Sequence, residues 1–294
     1  MKTLFRFLIC LLGGVGTTTV QAAPPVETAT PTQEIDLMSM ERDAKSGLIL
    51  INALVNNTPM RLMLDTGANR SLLHHESALK LKNAKWLNTA HLKFNSNSAQ
   101  QPKMLIADLQ AGPGVSPRHI FAVLDISSVH SMMAEKIDGI IGMDVLGSLP
   151  FTFDFRKNEF YWGVPEDATL SPIYGNMEKI GRMMVHPKCG NKQLNLLLDT
   201  GSVITKVPAQ DWEAGSAGEI SARMGNVDST KHIRVEEGKP ADLEVAPGIM
   251  LHGVQPILCT PQDSALLGLD AMKDAVLIHL PTEKTLYGRF FFAL

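Results

Sequence analysis

Cysteine is scarce in this chain: Cys10, Cys189 and Cys259 are all there is in 294 residues. That excludes a small disulfide-stapled scaffold, and the wide separations lack the close pairing of zinc-binding cysteines. Long apolar runs are missing too. A membrane-spanning helix needs about 20 predominantly apolar residues, and the stretch from Phe7 to Val15 is far shorter. Placed after Lys2 and Arg6 and before Val20-Gln21-Ala22-Ala23, it reads as a secretory leader, residues 1–23, cut near Ala22 or Ala23. Cys10 falls inside this leader behind Ile9, where a lipidation site wants a small residue. The expectation is a periplasmic or secreted protein without a membrane span. Clustered positive charge is also lacking. Without Lys2 and Arg6, 25 of the 27 basic residues remain against 30 acidic ones, with no basic run suited to a polyanion, which argues against nucleic acid as a partner. Helical patterning is confined to short stretches, mainly Ser71–Lys82 and Pro208–Ala214.

What the chain does have is a repeat. Leu62-Met63-Leu64-Asp65-Thr66-Gly67 recurs as Leu196-Leu197-Leu198-Asp199-Thr200-Gly201, a shift of 134 residues. The same shift carries Gly47 to Gly181, Asn57 to Asn191, Ala107-Asp108-Leu109 to Ala241-Asp242-Leu243 and Pro113-Gly114 to Pro247-Gly248. Farther on it falls to 126, where Ile140-Ile141-Gly142-Met143-Asp144 matches Leu266-Leu267-Gly268-Leu269-Asp270, so the second copy is about eight residues shorter between these anchors. One Asp-Thr-Gly turn arises readily by chance. Two of them in matched flanks point to an internal duplication.

Each copy reads as short strands broken by turn residues. Leu48–Val55 and Arg61–Leu64 form a predicted hairpin around Asn56-Asn57-Thr58-Pro59, and Arg182–His186 and Leu194–Leu198 form another around Cys189-Gly190-Asn191-Lys192. Both hairpins run straight into the Asp-Thr-Gly loop. Later strands are predicted at Lys103–Leu109, His119–Leu124, Asp242–Val245 and Val254–Cys259, and closing hairpins at Phe151–Phe155 with Glu159–Trp162 and Ala275–Leu280 with Thr285–Arg289. The class is all-β with minor helix. Residues 24–45, rich in Pro and Thr at their start, read as an exposed linker, 46–165 as a first lobe and 166–294 as a second.

An apolar strand entering Asp-Thr-Gly, followed roughly seventy residues later by two apolar residues and Gly, resembles the pepsin and retropepsin superfamily of aspartic peptidases. The likeness covers nearly all of the chain beyond the leader and is closest to a fused retropepsin pair. It implies a two-lobed acid-protease β-barrel fold from an internal duplication, with Asp65 and Asp199 as the catalytic dyad. It further implies that Thr66 and Thr200 lock the two loops across the lobe boundary. Ile141-Gly142 and Leu267-Gly268 would run behind the loops as structural support. Flaps are implied near Trp86–Asn97 and Ile220–Thr230, neither window holding the tyrosine of pepsin-like flaps.

The chemistry is consistent with the residues themselves. Hydrolysing an amide without a metal needs one group to take a proton from water and another to give one to the substrate, and two facing carboxylates sharing one proton can do both; the aspartic proteases are the standard case of such a pair. Gly67 and Gly201 permit the close approach of two loops. Ala68 follows one motif and Ser202 the other; a Ser202 hydroxyl aimed at Asp199 would make that carboxyl the charged one. No cofactor and no metal are expected, because His74-His75-Glu76 places adjacent histidines on different sides of any regular element. Cys189 and Cys259, an even pair in an oxidising compartment, could form one disulfide or stay as two buried thiols. The partner expected is a peptide or protein substrate bound by a monomer. A homodimer, and a peptide-binding or assembly module with little or no catalysis, are the alternatives.

Overall fold

The computed structural model describes residues 4–5, 36–39, 41–87, 102–112, 114–166, 168–178, 181–225, 230–282 and 285–293. Most of the expected leader, most of the expected linker and the tips of both expected flaps lie outside these residues.

After a first strand, β1 (Asp36–Ser39), the first lobe comprises β2 (Ile49–Val55), β3 (Thr58–Leu64), β4 (Leu72–His74), helix α1 (His75–Leu79), β5 (Lys85–Leu87), β6 (Lys103–Ala111), β7 (Gly114–Leu124), α2 (Ser127–His130), β8 (Gly139–Ile141) and α3 (Met143–Leu146). Its sheet runs β2-β3-β8-β4-β7-β6-β5, and β2 also pairs with β6 through Leu54 and Gln110, which closes six strands into a barrel. The predicted helix over 71–82 is thus a strand for its first third. Leu72 and Leu73 are buried between β8 and β7, and two-sided packing overrides the local helical pattern.

Two strands, β9 (Phe151–Asp154) and β10 (Glu159–Trp162), close the first copy, and β11 (Leu170–Pro172) opens the second. There follow β12 (Met183–Val185), β13 (Leu196–Leu198), β14 (Lys206–Pro208), β15 (Ser216–Gly225), β16 (Thr230–Gly238), β17 (Ala241–Ala246), β18 (Ile249–Val254), β19 (Ile257–Cys259), β20 (Leu266–Leu267), helix α4 (Leu269–Met272), β21 (Val276–Thr282) and β22 (Thr285–Ala293). Within a nine-stranded sheet whose edges are Leu4–Phe5 and Gly175–Met177, the order β12-β13-β20-β14-β19-β16-β15 repeats that of the first lobe's seven strands. The expected helix at 208–214 is a single 3-10 turn, Ala209–Asp211. The lobes differ where proline intervenes. β6 and β7 are continuous in the first lobe, whereas their counterparts break into β16 plus β17 at Lys239-Pro240 and into β18 plus β19 at Gln255-Pro256, because proline has no N–H for the ladder.

A six-stranded sheet, β1-β10-β9-β21-β22-β11, joins the lobes. Residues 36–39, inside the segment read as linker, are its edge strand, pairing with β10. At its centre Phe151 pairs with His279, Thr152 with Ile278 and Phe153 with Leu277. Since 152 and 278 are equivalent under the 126-residue shift, a local two-fold axis passes between them. Phe151 is fully buried there, stacked on His279 at 4.8 Å and edge-on to Phe153 at 5.3 Å. Replacing Phe151 by Ala should therefore cost about 3–5 kcal/mol of stability, read as a lower denaturation midpoint in urea.

Candidate active site

The strands β3 and β13 end at Leu64 and Leu198, and each Asp-Thr-Gly loop turns back at once beneath its own lobe's support strand. Asp65 N–H donates to the Ile141 carbonyl and Asp199 N–H to the Leu267 carbonyl, both at 3.0 Å. A Cβ on Gly142 would lie 2.7 Å from the Ala68 carbonyl oxygen, and one on Gly268 would lie 2.4 Å from the Ile204 carbonyl. The apolar-apolar-Gly segments therefore do pack behind the loops. They also bring in residues that sequence reasoning passed over. Ser71 Oγ accepts the Gly142 N–H at 3.1 Å and donates to Asp144 at 2.7 Å; Thr205 Oγ1 accepts the Gly268 N–H at 3.1 Å and donates to Asp270 at 2.6 Å. The signal was present, since Asp144 and Asp270 are equivalent within the quoted repeat.

The two loops meet at the lobe boundary. Thr66 Oγ1 donates to the Leu198 carbonyl at 2.9 Å and accepts the Thr200 N–H at 3.0 Å. Thr200 Oγ1 donates to the Leu64 carbonyl at 3.1 Å and accepts the Thr66 N–H at 3.0 Å. All four bonds are buried. The glycines then set how close the acids come. A Cβ on Gly67 would sit 2.6 Å from the Asp199 carboxyl carbon, and one on Gly201 would sit 2.4 Å from that of Asp65, so each loop's glycine is the seat of the other loop's carboxyl group.

Asp65 and Asp199 are fully buried. Oδ1 of Asp65 accepts the N–H groups of Gly67 at 2.8 Å and Ala68 at 2.9 Å, and Oδ1 of Asp199 accepts that of Gly201 at 2.9 Å. Among the described residues no N–H or O–H serves either Oδ2, and the carboxyls lie within hydrogen-bonding reach of one another. A single proton between them converts repulsion into a bond. Burial, partly offset by the hydrogen bond from Asp199 and by the N–H groups of Ala68 and Gly67, pushes Asp65 up to about 6. Burial together with the Asp65 charge pushes Asp199 well above the usual carboxylate range.

Two expectations change here, and one left open is resolved. The Ser202 hydroxyl donates its one proton to the Ile204 carbonyl at 2.9 Å and accepts the Ile204 N–H at 3.2 Å, so that proton is not directed at Asp199 as expected. Cys189 and Cys259 are separate buried thiols, not a disulfide. They stand on different sheets, Cys189 on a strand beside β17 and Cys259 on β19 beside β14, and burial pushes the Cys259 thiol up to about 11. His74 and His75 do not diverge as expected: with Asp125 they offer one ligand atom each within 4.8 Å. His74 is buried at the end of β4, where its Nδ1 accepts the Ile126 N–H at 3.2 Å, a structural bond that occupies one of the two ring nitrogens. Trp86, expected near a flap, is half exposed on β5 opposite Leu105.

Residues 51–145, the greater part of the first lobe, match a sequence family described as "Aspartyl protease". The chain is also similar to the crystal structure of a retropepsin-like aspartic protease from Rickettsia conorii, at 21% identity and a TM-score of 0.33, with 46% of this chain and 96% of that one covered. No curated protein matches. The resemblance read from the Asp-Thr-Gly repeats thus has the support of the family match in the first copy.

Raised carboxyl pKa values make the buried pair a pH-dependent burden. A group held at about 6 in the folded protein and 3.8 unfolded lends its full relative stability below about pH 4 and loses it as the pH rises through 6. Asp65→Asn should consequently be more stable than wild type at pH 7, by about 2–3 kcal/mol, with the difference vanishing near pH 4; thermal unfolding across pH measures this.

Proposed function

We propose that the protein is an aspartic-type endopeptidase, with Asp65 and Asp199 as its two catalytic carboxyl groups. The observation carrying this reading is the pair itself: two buried acids, one per repeat, within hydrogen-bonding reach of one another, with no donor on either Oδ2 among the described residues. A fold gains nothing in stability from such a pair, because burying two acids costs free energy that no structural bond returns.

In this reading a water molecule sits on the paired Oδ2 atoms. Asp65, whose Oδ1 takes two backbone N–H bonds and which carries the charge, removes a proton from the water. Asp199, holding the shared proton, gives it to the scissile carbonyl oxygen as the water oxygen bonds to the carbon. The resulting tetrahedral gem-diol collapses when Asp65 passes its proton to the amide nitrogen, Asp199 recovers one from a hydroxyl, and the C–N bond breaks. The carboxyls return to their starting forms, and no cofactor takes part.

The substrate is a peptide in extended form, lying across the two loops at the lobe boundary and recognised in part through its main chain. One chain carries both carboxyls, so a monomer is sufficient. Residues 1–23 would direct the mature chain to the periplasm or beyond the cell, where its protein targets are met.

Cleavage of a random peptide library, followed by mass spectrometry across pH, tests this. Wild type should cut, and both Asp65→Asn and Asp199→Asn should lose at least about a thousandfold in kcat/KM, as expected when half of an acid-base pair is removed. Cutting that survives either substitution would exclude the mechanism. Because the Ser202 hydroxyl serves Ile204, Ser202→Ala should leave the pH midpoints of the activity profile in place.

A further inference from the structure

The two lobes repeat one another strand for strand, yet they finish the face beside the Asp-Thr-Gly loops differently. In the first lobe that face is an apolar cluster including Leu48, Leu72 and Ile140, closed over by Ile126, Val129 and Met133 from the α2 segment. The segment is fastened down by Asp43, whose Oδ2 accepts the Ala134 N–H at 2.8 Å. The second copy is shorter at this place, where the repeat shift falls from 134 to 126, and only Thr260 to Ala265 join β19 to β20. The cover is therefore missing. The residues equivalent to Leu48 and Leu72 are Arg182 and Lys206.

Beside β14 and β19, under β16, this leaves a cavity of about 510 Å3 whose wall includes Lys206, Ile233, Val235, Ile257 and Asp263. Lys206 is 6% exposed, and among the described residues no hydrogen bond or ion pair engages its ammonium group. Asp263 lies near enough to feel its charge, but that carboxylate is taken up by the Thr260 N–H at 3.0 Å and the Thr260 hydroxyl at 2.9 Å. The other charged groups on the wall, Arg234 and Glu236, are exposed on β16 and opposite in sign, so solvent screens them and Lys206, whose stem is fixed by burial, is the better-placed charge. The stem of Lys206 is packed against the wall while its ammonium is not among the buried polar atoms that lack a partner, so the charge is held at the cavity with water as its competitor for a ligand. The cavity adjoins a second one that shares Gln210, Pro261 and Asp263 with it and holds Arg182. Arg182 is close enough to the pair for its charge to lower Asp199. Its guanidinium is bound to Glu178 at 2.8 Å, which leaves Lys206, among the described residues of the two walls, as the buried basic residue without an ion pair.

We infer that the Lys206 cavity is a substrate subsite selective for a carboxylate side chain, Asp or Glu, on one side of the scissile bond only. This rests on the endopeptidase reading above. The one-sidedness comes from the lobes themselves, since the equivalent of Lys206 in the first lobe is a leucine sealed beneath α2. A charge-assisted hydrogen bond to a side chain held in place by its pocket is strong enough to set selectivity by tenfold or more.

The experiment uses peptides that differ only by Glu, Gln or Lys at each position around the bond. They are measured twice: for cleavage by wild type, and for binding, by fluorescence anisotropy, to the Asp65→Asn protein, which reads the pocket whether or not chemistry occurs. At one position the Glu peptide should exceed the Gln peptide by about tenfold or more in both measurements. In the Asp65→Asn background, Lys206→Leu, which installs the first lobe's residue, should bring the binding ratio to about one, and Lys206→Arg should keep it above one. A Glu preference in binding without cleavage by wild type would support the subsite and overturn the peptidase reading. A Glu-to-Gln ratio near one at every position for the unsubstituted lysine, or a ratio that survives in Lys206→Leu and in the isosteric Lys206→Met, would overturn the inference itself.

Discussion

Everything at the centre of this molecule depends on two loops meeting with no side chain between them. Gly67 and Gly201 each leave a void the size of a methyl group, and the carboxyl of the opposite loop fills it. Four reciprocal threonine bonds then hold the distance. Like charges would force such loops apart in a dry site, so the threonines and the inter-lobe sheet must supply the restoring force, and a shared proton removes most of the load. The supporting strands serve the same end. Ile141 and Leu267 take the aspartate N–H groups, while the Ser71–Asp144 and Thr205–Asp270 pairs satisfy the glycine N–H groups behind them. The backbone N–H groups of the aspartates and of the supporting glycines are thereby matched, and both carboxyl Oδ2 atoms are left over for other work.

Much of this was legible in the sequence, because duplication writes each feature twice. The strands entering the loops, the apolar-apolar-Gly supports and the closing hairpins all recur at a fixed shift, and the structure forms them where the repeat locates them. What was not legible depended on three-dimensional surroundings. Ser71–Lys82 carries a helical pattern that β7 and β8 override by burying Leu72 and Leu73 between them. Ser202 sits beside a carboxylate in sequence, but its rotamer sends its hydrogen bond to Ile204. Cys189 and Cys259 are an even pair by count, and their separation on two sheets could not be counted. The edge strand at 36–39 was hidden in a segment whose beginning is rich in proline and threonine, although the 134-residue shift carries it onto β11.

The departures from symmetry are as informative as the repeat. Proline interrupts two strands of the second lobe where the first runs on, α2 covers an apolar face that the second lobe leaves open, and a buried leucine becomes a buried lysine. None of these replaces a residue of the two Asp-Thr-Gly loops. The central machinery is kept nearly two-fold, while the surfaces flanking it have diverged, so a peptide lying across the lobes meets a different environment at each end.

The same freedom reaches the axis itself. Two identical chains meeting around a dyad must place a residue against its own copy, which restricts that position to side chains that tolerate themselves. Here Thr152 faces Ile278, with the threonine hydroxyl turned away to donate to the Gly163 carbonyl at 2.8 Å. A hydroxyl-bearing residue opposite a purely aliphatic one is a combination no self-paired assembly could encode, so linking both halves in one polypeptide has opened sequence space at the very point where symmetry would otherwise have closed it.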